Sequence, residues 1–256
     1  MSPTACYGLH VATVKLVLAY DGTRYVGWQV QPNGPSIQAE LERALATLHK
    51  EPVRITGAGR TDAGVHALGQ VASFPAERPL PVSAYVKGMN ALLPDDVAVR
   101  EATVIDGPFD ARRDARGKRY RYRIENLPTR APLSRLQSWQ VFRPLDVEAM
   151  RAAAVPLTGR HDFSAFRAAD CVAAHAVRDL GRLDVEVPAP GRVEVVAEAT
   201  AFLKHMVRNL VGTLVEVGLG ARPAGSTGDL LASRDRTLAG RTAPPQGLTL
   251  EEVFYG

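Results

Sequence analysis

The chain has 256 residues, 46% of them hydrophobic, and its 31 Lys and Arg residues slightly outnumber its 27 Asp and Glu residues. These values predict a globular protein with one large domain or two small ones, exclude an intrinsically disordered chain, and hint at an anionic partner. The two cysteines, Cys6 and Cys171, have no spacing typical of a disulfide framework or a zinc site, so a reducing, cytoplasmic compartment is expected.

The sequence contains no targeting, membrane or cofactor motif. Residues 1–10 lack a basic segment followed by an apolar one, and no apolar run is long enough to span a membrane. No G-x-x-x-x-G-K-[ST] loop occurs, and His161, Cys171 and His175 match no zinc pattern. We therefore expect a protein without a signal peptide, a metal or a nucleotide cofactor, and without a membrane partner.

The first half of the chain is predicted to follow the order β-α-β-β-α-β. Its elements are a strand over Val14–Tyr20, a helix over Ile37–Leu48, strands from Val53 and over Gln70–Phe74, a helix over Ser83–Leu93 and a strand over Val97–Val104. Ile37, Leu41 and Leu45 recur at helical spacing, and Ser36 is a suitable N-cap. This order is that of the ferredoxin-like unit.

The second half loosely repeats that order. Its predicted elements are strands over Lys118–Asn126 and Trp139–Arg143, a helix from Asp146 to about Leu157, a hairpin of Arg182–Val187 and Arg192–Ala199, a long apolar helix over Ala201–Gly218, a short helix over Thr227–Ser233 and a closing strand over Leu248–Phe254. The break at residues 106–108 divides the chain into residues 12–108 and 109–256. We expect an α+β protein whose two ferredoxin-like halves place largely antiparallel, mixed sheets side by side around a central cleft.

The most informative segment is the loop Gly57–His66. It places one carboxylate, Asp62, two residues after Arg60 among glycines and alanines, which allow a sharp turn and close approach of a ligand. A lone carboxylate on such a loop suits a nucleophile or a base. A glycine-rich connector with a surface ion pair is the alternative, and for His66 itself a structural hydrogen bond is favoured over a role as proton shuttle.

The most basic segment runs from Asp110 to Ile124. Its cations are Arg112, Arg113, Arg116, Lys118, Arg119, Arg121 and Arg123. In a strand, Tyr120 and Tyr122 share one face, and the arginines at 119, 121 and 123 share the other. Cations suit phosphates and aromatic rings suit unstacked bases, so this strand is a candidate nucleic-acid platform. An edge strand with a solvated basic face remains the alternative.

Arg208 lies within the predicted apolar helix that covers residues 201–218. A buried arginine needs a partner, and Asp62 is the candidate across the cleft. The alternative is an Arg208 side chain that extends along the helix surface to water.

These segments together resemble the tRNA pseudouridine synthase A family. The resemblance is carried by Gly59–His66, Tyr20–Gly22 with Gly27–Gln29, Arg119–Tyr122, Phe202–Gly212 and Gln246–Leu248, which span nearly the whole chain in the family's order. One departure occurs at Arg113 and Asp114, where the family more often has an aromatic residue and a serine. RNA contacts could differ at that point.

The resemblance implies the pseudouridine synthase fold, a cytoplasmic homodimer and isomerisation of uridine to pseudouridine at positions 38, 39 and 40 in the anticodon arm of tRNA. Asp62 would be the catalytic carboxylate, Arg208 its partner, and Tyr120 the ring that stacks on uracil. Arg60 would hold the RNA and fill the space of the extruded base, and Leu248 would line the pocket. No cofactor is implied, because isomerisation gains neither electrons nor atoms.

Substrate binding is further expected of Arg112, Lys118 and Arg119, and tRNA affinity should fall steeply with salt if several cations of this strand meet phosphates. Two other functions stay open. A non-catalytic RNA-binding module would also use basic and aromatic strands but would gain nothing from Asp62. A hydrolase of a small anion would need a second acid nearby, and no such residue occurs at motif spacing.

Overall fold

The structure is a computed structural model that describes residues 11–256; the segment 1–10, in which no signal peptide is predicted, lies outside the described residues. The strands are β1 Ala12–Tyr20, β2 Thr56–Gly57, β3 His66–Ala76, β4 Val97–Ile105, β5 Gly117–Glu125, β6 Trp139–Gln140, β7 Gly159–Asp162, β8 Val177–Ala189, β9 Arg192–Ala199 and β10 Leu248–Phe254. The α-helices are α1 Ile37–His49, α2 Val147–Ala154, α3 Met206–Gly218 and α4 Ser226–Ser233.

One continuous sheet joins the two halves in the order β4-β1-β3-β10-β5-β9-β8-β7. The junction is made by β10, which pairs in parallel with β3 of the first half and antiparallel with β5 of the second. The other pairs along this path are antiparallel, so the predicted mixed and largely antiparallel α+β architecture is confirmed. The chain's last strand therefore holds the middle of the sheet.

The elements form where apolar spacing and capping agree. Ser36 Oγ accepts a hydrogen bond from the Ala39 amide at 3.3 Å and starts α1. The face of α1 that carries Ile37, Leu41 and Leu45 is buried in the core. In the second half, Asp146 caps α2 in the same way, through a 2.9 Å bond from the Ala149 amide.

Two predicted strands are shorter than expected. No strand begins at Val53, because the Ile55 amide bonds the Glu42 carboxylate at 3.2 Å rather than a neighbouring strand. β2 is therefore limited to two residues. The predicted strand Trp139–Arg143 ends after Gln140, since the Asn126 amide group bonds the next carbonyls, those of Val141 and Arg143.

The predicted helix Ser83–Leu93 is observed as a helical segment over residues 82–90, the middle of which, Ala84–Gly88, is π-helical. Asn90 turns its side chain to the backbone of Val99, donating to the carbonyl at 2.9 Å and accepting from the amide at 2.8 Å. Asparagine side chains that bond backbone in this way compete with helix continuation, and Gly88 adds a second weak helix former.

The long predicted helix Ala201–Gly218 is wrong at its start, because α3 begins at Met206. His205 immediately before it has a left-handed backbone, with φ 62° and ψ 2°. Beyond that point the prediction holds, and nearly all of α3 is buried. Within residues 11–256 no helix combines the length and apolarity required to cross a membrane.

Candidate active site

The loop that carries Asp62 is fixed by backbone hydrogen bonds on both sides. The Ala58 amide bonds the Val71 carbonyl at 2.8 Å, and the Gln70 side chain donates to the Gly59 carbonyl at 2.8 Å. The Trp28 amide bonds the Thr61 carbonyl at 3.1 Å. Asp62 thus stands on a rigid turn at the end of β2, immediately before β3.

Close backbone contact explains one of the small residues near this loop. Gly27 has φ +112°, and a Cβ at that position would lie 2.7 Å from the Thr61 carbonyl oxygen. Glycine is therefore required for the segment that precedes α1 to pack against the Asp62 loop. The segment Gly27-Trp28-Gln29 thus contacts the backbone of the Asp62 loop through its first two residues.

Two side chains, the Arg208 guanidinium and the His205 imidazole, approach the same oxygen of Asp62. Arg208 Nη1 lies 3.3 Å from Asp62 Oδ2, and His205 Nε2 lies 3.5 Å from it. The Asp62 side chain is 26% exposed and the Arg208 side chain 12%. The carboxylate is therefore reachable from solvent on one side and paired with a guanidinium on the other.

Arg208 is held by its neighbours and does not extend along the helix surface to water. Its Nε donates to the Ala243 carbonyl at 2.8 Å, and the Ala243 amide donates to the Arg208 carbonyl at 3.1 Å. The predicted pairing with Asp62 is therefore present, supported by the segment that leads into β10. A guanidinium fixed through one nitrogen can present another to Asp62 in a single orientation.

Tyr120 faces this site from β5. Its side chain is 7% exposed and packs edge-to-face on Phe202, with ring centroids 5.1 Å apart. Burial raises the pKa of Tyr120 far above its usual value, and the charges of Tyr20 and Asp62 act in the same direction. The phenol is therefore neutral at physiological pH, and its ring is set in place by packing.

Leu248 begins β10, directly opposite Tyr122 of β5, and is buried. The Tyr122 hydroxyl donates to the Pro244 carbonyl at 2.7 Å, which fixes the approach to β10. A Cβ on Gly247 would lie 2.5 Å from the Tyr122 ring, so only glycine fits there. Leu248 thus provides an apolar wall in the central part of the sheet.

His66 has the structural role favoured by the sequence. Its Nδ1 accepts a hydrogen bond from the Gly22 amide at 3.1 Å, and its Nε2 lies 3.1 Å from the Gln246 carbonyl oxygen. The ring is buried. His66 therefore ties the start of β3 to the segment before β10.

Of the predicted RNA-binding cations, the side chains of Arg60, Arg112 and Lys118 form no hydrogen bond or ion pair with residues 11–256. Arg60 and Arg112 are exposed. Lys118 lies against the Asp62 loop, since a Cβ on Gly59 would be 2.8 Å from its Nζ. Burial, with a smaller contribution from the positive charge of Arg112, lowers the pKa of Lys118 to about 8.

Arg119 is different, because its charge is already balanced. It pairs with Glu198 at 2.7 Å and with Glu252 at 3.0 Å, on the side of β5 opposite to Tyr120. Arg121 on that side contacts three carboxylates, those of Glu186, Glu194 and Glu251. The arginines of this strand form a lattice of ion pairs within the protein.

His205 was missed as a site residue when the sequence was considered alone. The predicted helix Ala201–Gly218 includes His205 and gives no reason for its side chain to point at Asp62, whereas α3 begins one residue later, at Met206. The available signal was the cluster of Lys204, His205 and Arg208 in an otherwise apolar segment. Within residues 11–256 no group of three or more His, Cys, Asp or Glu side chains is arranged to hold a metal ion.

The chain is similar to proteins of one family. The family model described as tRNA pseudouridine synthase matches residues 16–111 and 153–256. The chain is 64% identical over 242 residues to tRNA pseudouridine synthase A of Myxococcus xanthus, covering 94% of this chain and 91% of the relative. It is 50% identical to the proteins of that name from Geotalea uraniireducens and Geobacter sulfurreducens, over 94% and 95% of this chain and 99% of each relative. The chain belongs to the tRNA pseudouridine synthase family.

Proposed function

We propose that this protein isomerises uridine to pseudouridine at positions 38, 39 and 40 in the anticodon arm of tRNA, with Asp62 as nucleophile or base. The observation that carries the proposal is a partly exposed carboxylate on a rigid loop, paired with Arg208 at 3.3 Å. That arrangement presents a carboxylate oxygen beside a buried aromatic ring.

The reaction makes defined demands on the site. The bond between N1 of uracil and C1′ of ribose breaks, the base turns, and a bond forms between C5 and C1′. The proton on C5 is lost and N1 gains one, so atoms and electrons balance without a cofactor. The site must therefore hold a detached base in place while presenting one charged oxygen.

The residues near Asp62 suit those demands. A uridine within a stem is out of reach, and flipping it out costs a few kcal/mol. We assign Tyr120 to stacking on the flipped uracil and Leu248 to the apolar wall. The exposed Arg60 is assigned to the space that the base leaves in the stem.

Phosphate binding is assigned to Arg112 and Lys118, which have no carboxylate partner among residues 11–256. Arg119 is a weaker candidate, because two glutamates already balance its charge. In this proposal residues 12–108 supply Asp62, whereas residues 109–256 supply Tyr120, Arg208 and Leu248. We further propose that the protein is cytoplasmic and forms a homodimer. Light scattering of the purified protein tests the dimer by measuring its molar mass.

The test is incubation of the protein with unmodified tRNA transcripts, followed by mapping of pseudouridine. The proposal expects pseudouridine at uridines 38, 39 and 40, and none there when these are replaced by cytidine. A non-catalytic RNA-binding module would bind the transcripts and leave all uridines unchanged. Pseudouridine confined to another arm of the tRNA would contradict the assigned substrate.

A further inference from the structure

The backbone before α3 adopts a conformation that its residue type does not favour. The Met206 amide bonds the Leu203 carbonyl at 3.1 Å, which closes a tight turn with His205 in third position. His205 has φ 62° and ψ 2° there, values at which turns usually have glycine or asparagine. Histidine at this position therefore makes the turn less stable than glycine would. This cost in stability points to a function of the His205 side chain.

Two other non-glycine residues within 11–256 have positive φ, and their setting is ordinary. Lys50 follows α1 and Arg234 follows α4, both as exposed C-terminal caps. A left-handed residue is common at that position. His205 instead precedes a helix, and its side chain is only 28% exposed.

The strained turn directs the imidazole to Asp62. His205 Nε2 lies 3.5 Å from Asp62 Oδ2, the oxygen that Arg208 Nη1 approaches at 3.3 Å. The other oxygen, Oδ1, has no hydrogen bond or ion pair to a residue of the described part of the chain. Oδ2 thus accepts a hydrogen bond from Arg208 and has the His205 imidazole beside it, whereas Oδ1 has neither contact.

We propose that His205 is a positioning residue that, together with Arg208, holds Oδ2 of Asp62 so that Oδ1 faces the reacting nucleoside. The inference rests on the proposed catalytic role of Asp62. It divides the carboxylate into an anchored oxygen and a reactive one. A carboxylate held by Arg208 alone could still rotate about its last bond, and small misplacements of a reacting group reduce rates strongly.

The charge state of His205 suits this role. Burial lowers its pKa, and the neighbouring charges of Arg208 and Lys204 act in the same direction, whereas Asp62 and Asp170 oppose them. The imidazole is therefore neutral at pH 7 and leaves Asp62 with a single formal cation. In acid, protonation would place a second cation on Oδ2 and make the carboxylate a poorer nucleophile or base.

The experiment compares His205→Gly, His205→Gln and the matched control Lys50→Gly, using tRNA transcripts as substrate. Each glycine variant relieves a left-handed residue, so each should raise the Tm by about 2–4 °C. Only His205→Gly should lose kcat, by about tenfold to a hundredfold, with KM within about twofold of the wild type. Gain of stability with loss of turnover is not the behaviour of a merely structural residue.

His205→Gln separates position from charge. Glutamine keeps an N–H group at similar reach but does not titrate, so it should retain more kcat than His205→Gly. Its kcat should also lack the part of the acid decline that is expected of the wild type from protonation of His205. Equal loss in the two variants, or an unchanged acid limb, would overturn the positioning role.

Two further outcomes would overturn the inference. They are full kcat in His205→Gly, and a raised KM with unchanged kcat, which would indicate a substrate contact instead. An Asp62→Asn variant measured in parallel distinguishes the role of His205 from that of Asp62. If Asp62→Asn is inactive while His205→Gly is fully active, only the role of His205 fails; if Asp62→Asn is active, the proposed function of Asp62 fails.

Discussion

The two faces of β5 carry similar residues and differ in what those residues contact. On one face Lys118 lies against the Asp62 loop without a carboxylate partner among residues 11–256, and Tyr120 packs on Phe202. On the other face Arg119 and Arg121 are each paired with two or more glutamates. Among residues 11–256, only the first face of β5 has positive charge without a carboxylate partner.

This difference shows that the number of cations in a strand does not identify an RNA contact. A guanidinium that bridges glutamates of β8, β9 and β10 stabilises the sheet, and a phosphate would have to displace those glutamates. An ammonium held near a glycine loop without a partner is a better site for a phosphate. The expected salt dependence should therefore come from Lys118 and Arg112 more than from Arg119 and Arg121.

The largest effect on the Tyr120 face is expected for Arg208→Met. The change removes the contacts to Asp62 and to the Ala243 carbonyl, so kcat should fall by about 10²–10³-fold, the loss typical of removing one fixed electrostatic donor. Arg208→Lys should recover only part of it, because an ammonium cannot bond both partners in the same geometry. Single-turnover pseudouridine formation measures this, and unchanged rates in Arg208→Met would show that Asp62 needs no such partner.

On the opposite face, Arg121→Met should affect stability and leave kcat of the folded protein unchanged. Glu194 and Glu251 would remain partly buried without their cation, which should lower the free energy of unfolding by about 2–3 kcal/mol. As control, Arg54→Met breaks a pair with Glu42 whose arginine is 84% exposed, at a cost of about 0–1 kcal/mol. Urea titration compares the two, and equal losses would argue against a structural lattice.

The smallest effects are expected for Lys118→Met. The folded pKa of Lys118, about 8, lies below its unfolded value, so below pH 8 the charge favours unfolding and its removal should stabilise the free protein at pH 7. The same change should weaken tRNA binding a few-fold and reduce the salt slope by about 1.

Arg119→Met is the matched control for Lys118→Met and should leave the salt slope unchanged. In the wild type, the contribution of Lys118 to binding should decline as pH rises above about 8, where the ammonium loses its proton. Binding curves at several salt concentrations and pH values test both statements. A larger change of slope in Arg119→Met than in Lys118→Met would reverse the assignment of the two faces.

The sequence was sufficient where local pattern and tertiary packing agree. Helical spacing and a serine cap located α1, and the alternation in residues 118–126 located β5 within one residue. The pairing of Asp62 with Arg208 was also expected, since a buried arginine demands a partner. Two sheets side by side were expected from the two repeated halves, whereas the junction of these sheets through β10 was not predicted.

The sequence was insufficient where a side chain competes for backbone bonds or where partners are distant in the chain. The side chains of Asn90 and Asn126 end regular structure by donating to backbone carbonyls that lie nine or more residues further along the chain. The glutamates that balance Arg119 and Arg121 come from three other strands, so a count of local charge could not include them. The left-handed backbone of His205 could not be foreseen, because the residues usual at that position of a turn are glycine and asparagine.

The central claim is that the ionised carboxylate of Asp62 performs the isomerisation at a site that binds tRNA through other residues. The most direct measurement determines, for Asp62→Asn, both tRNA affinity and pseudouridine formation at saturating protein. We expect affinity within about threefold of the wild type and a rate lowered on the order of 10⁴-fold, as for loss of a reacting group. Pseudouridine formed at the wild-type rate by the bound Asp62→Asn protein would contradict the account.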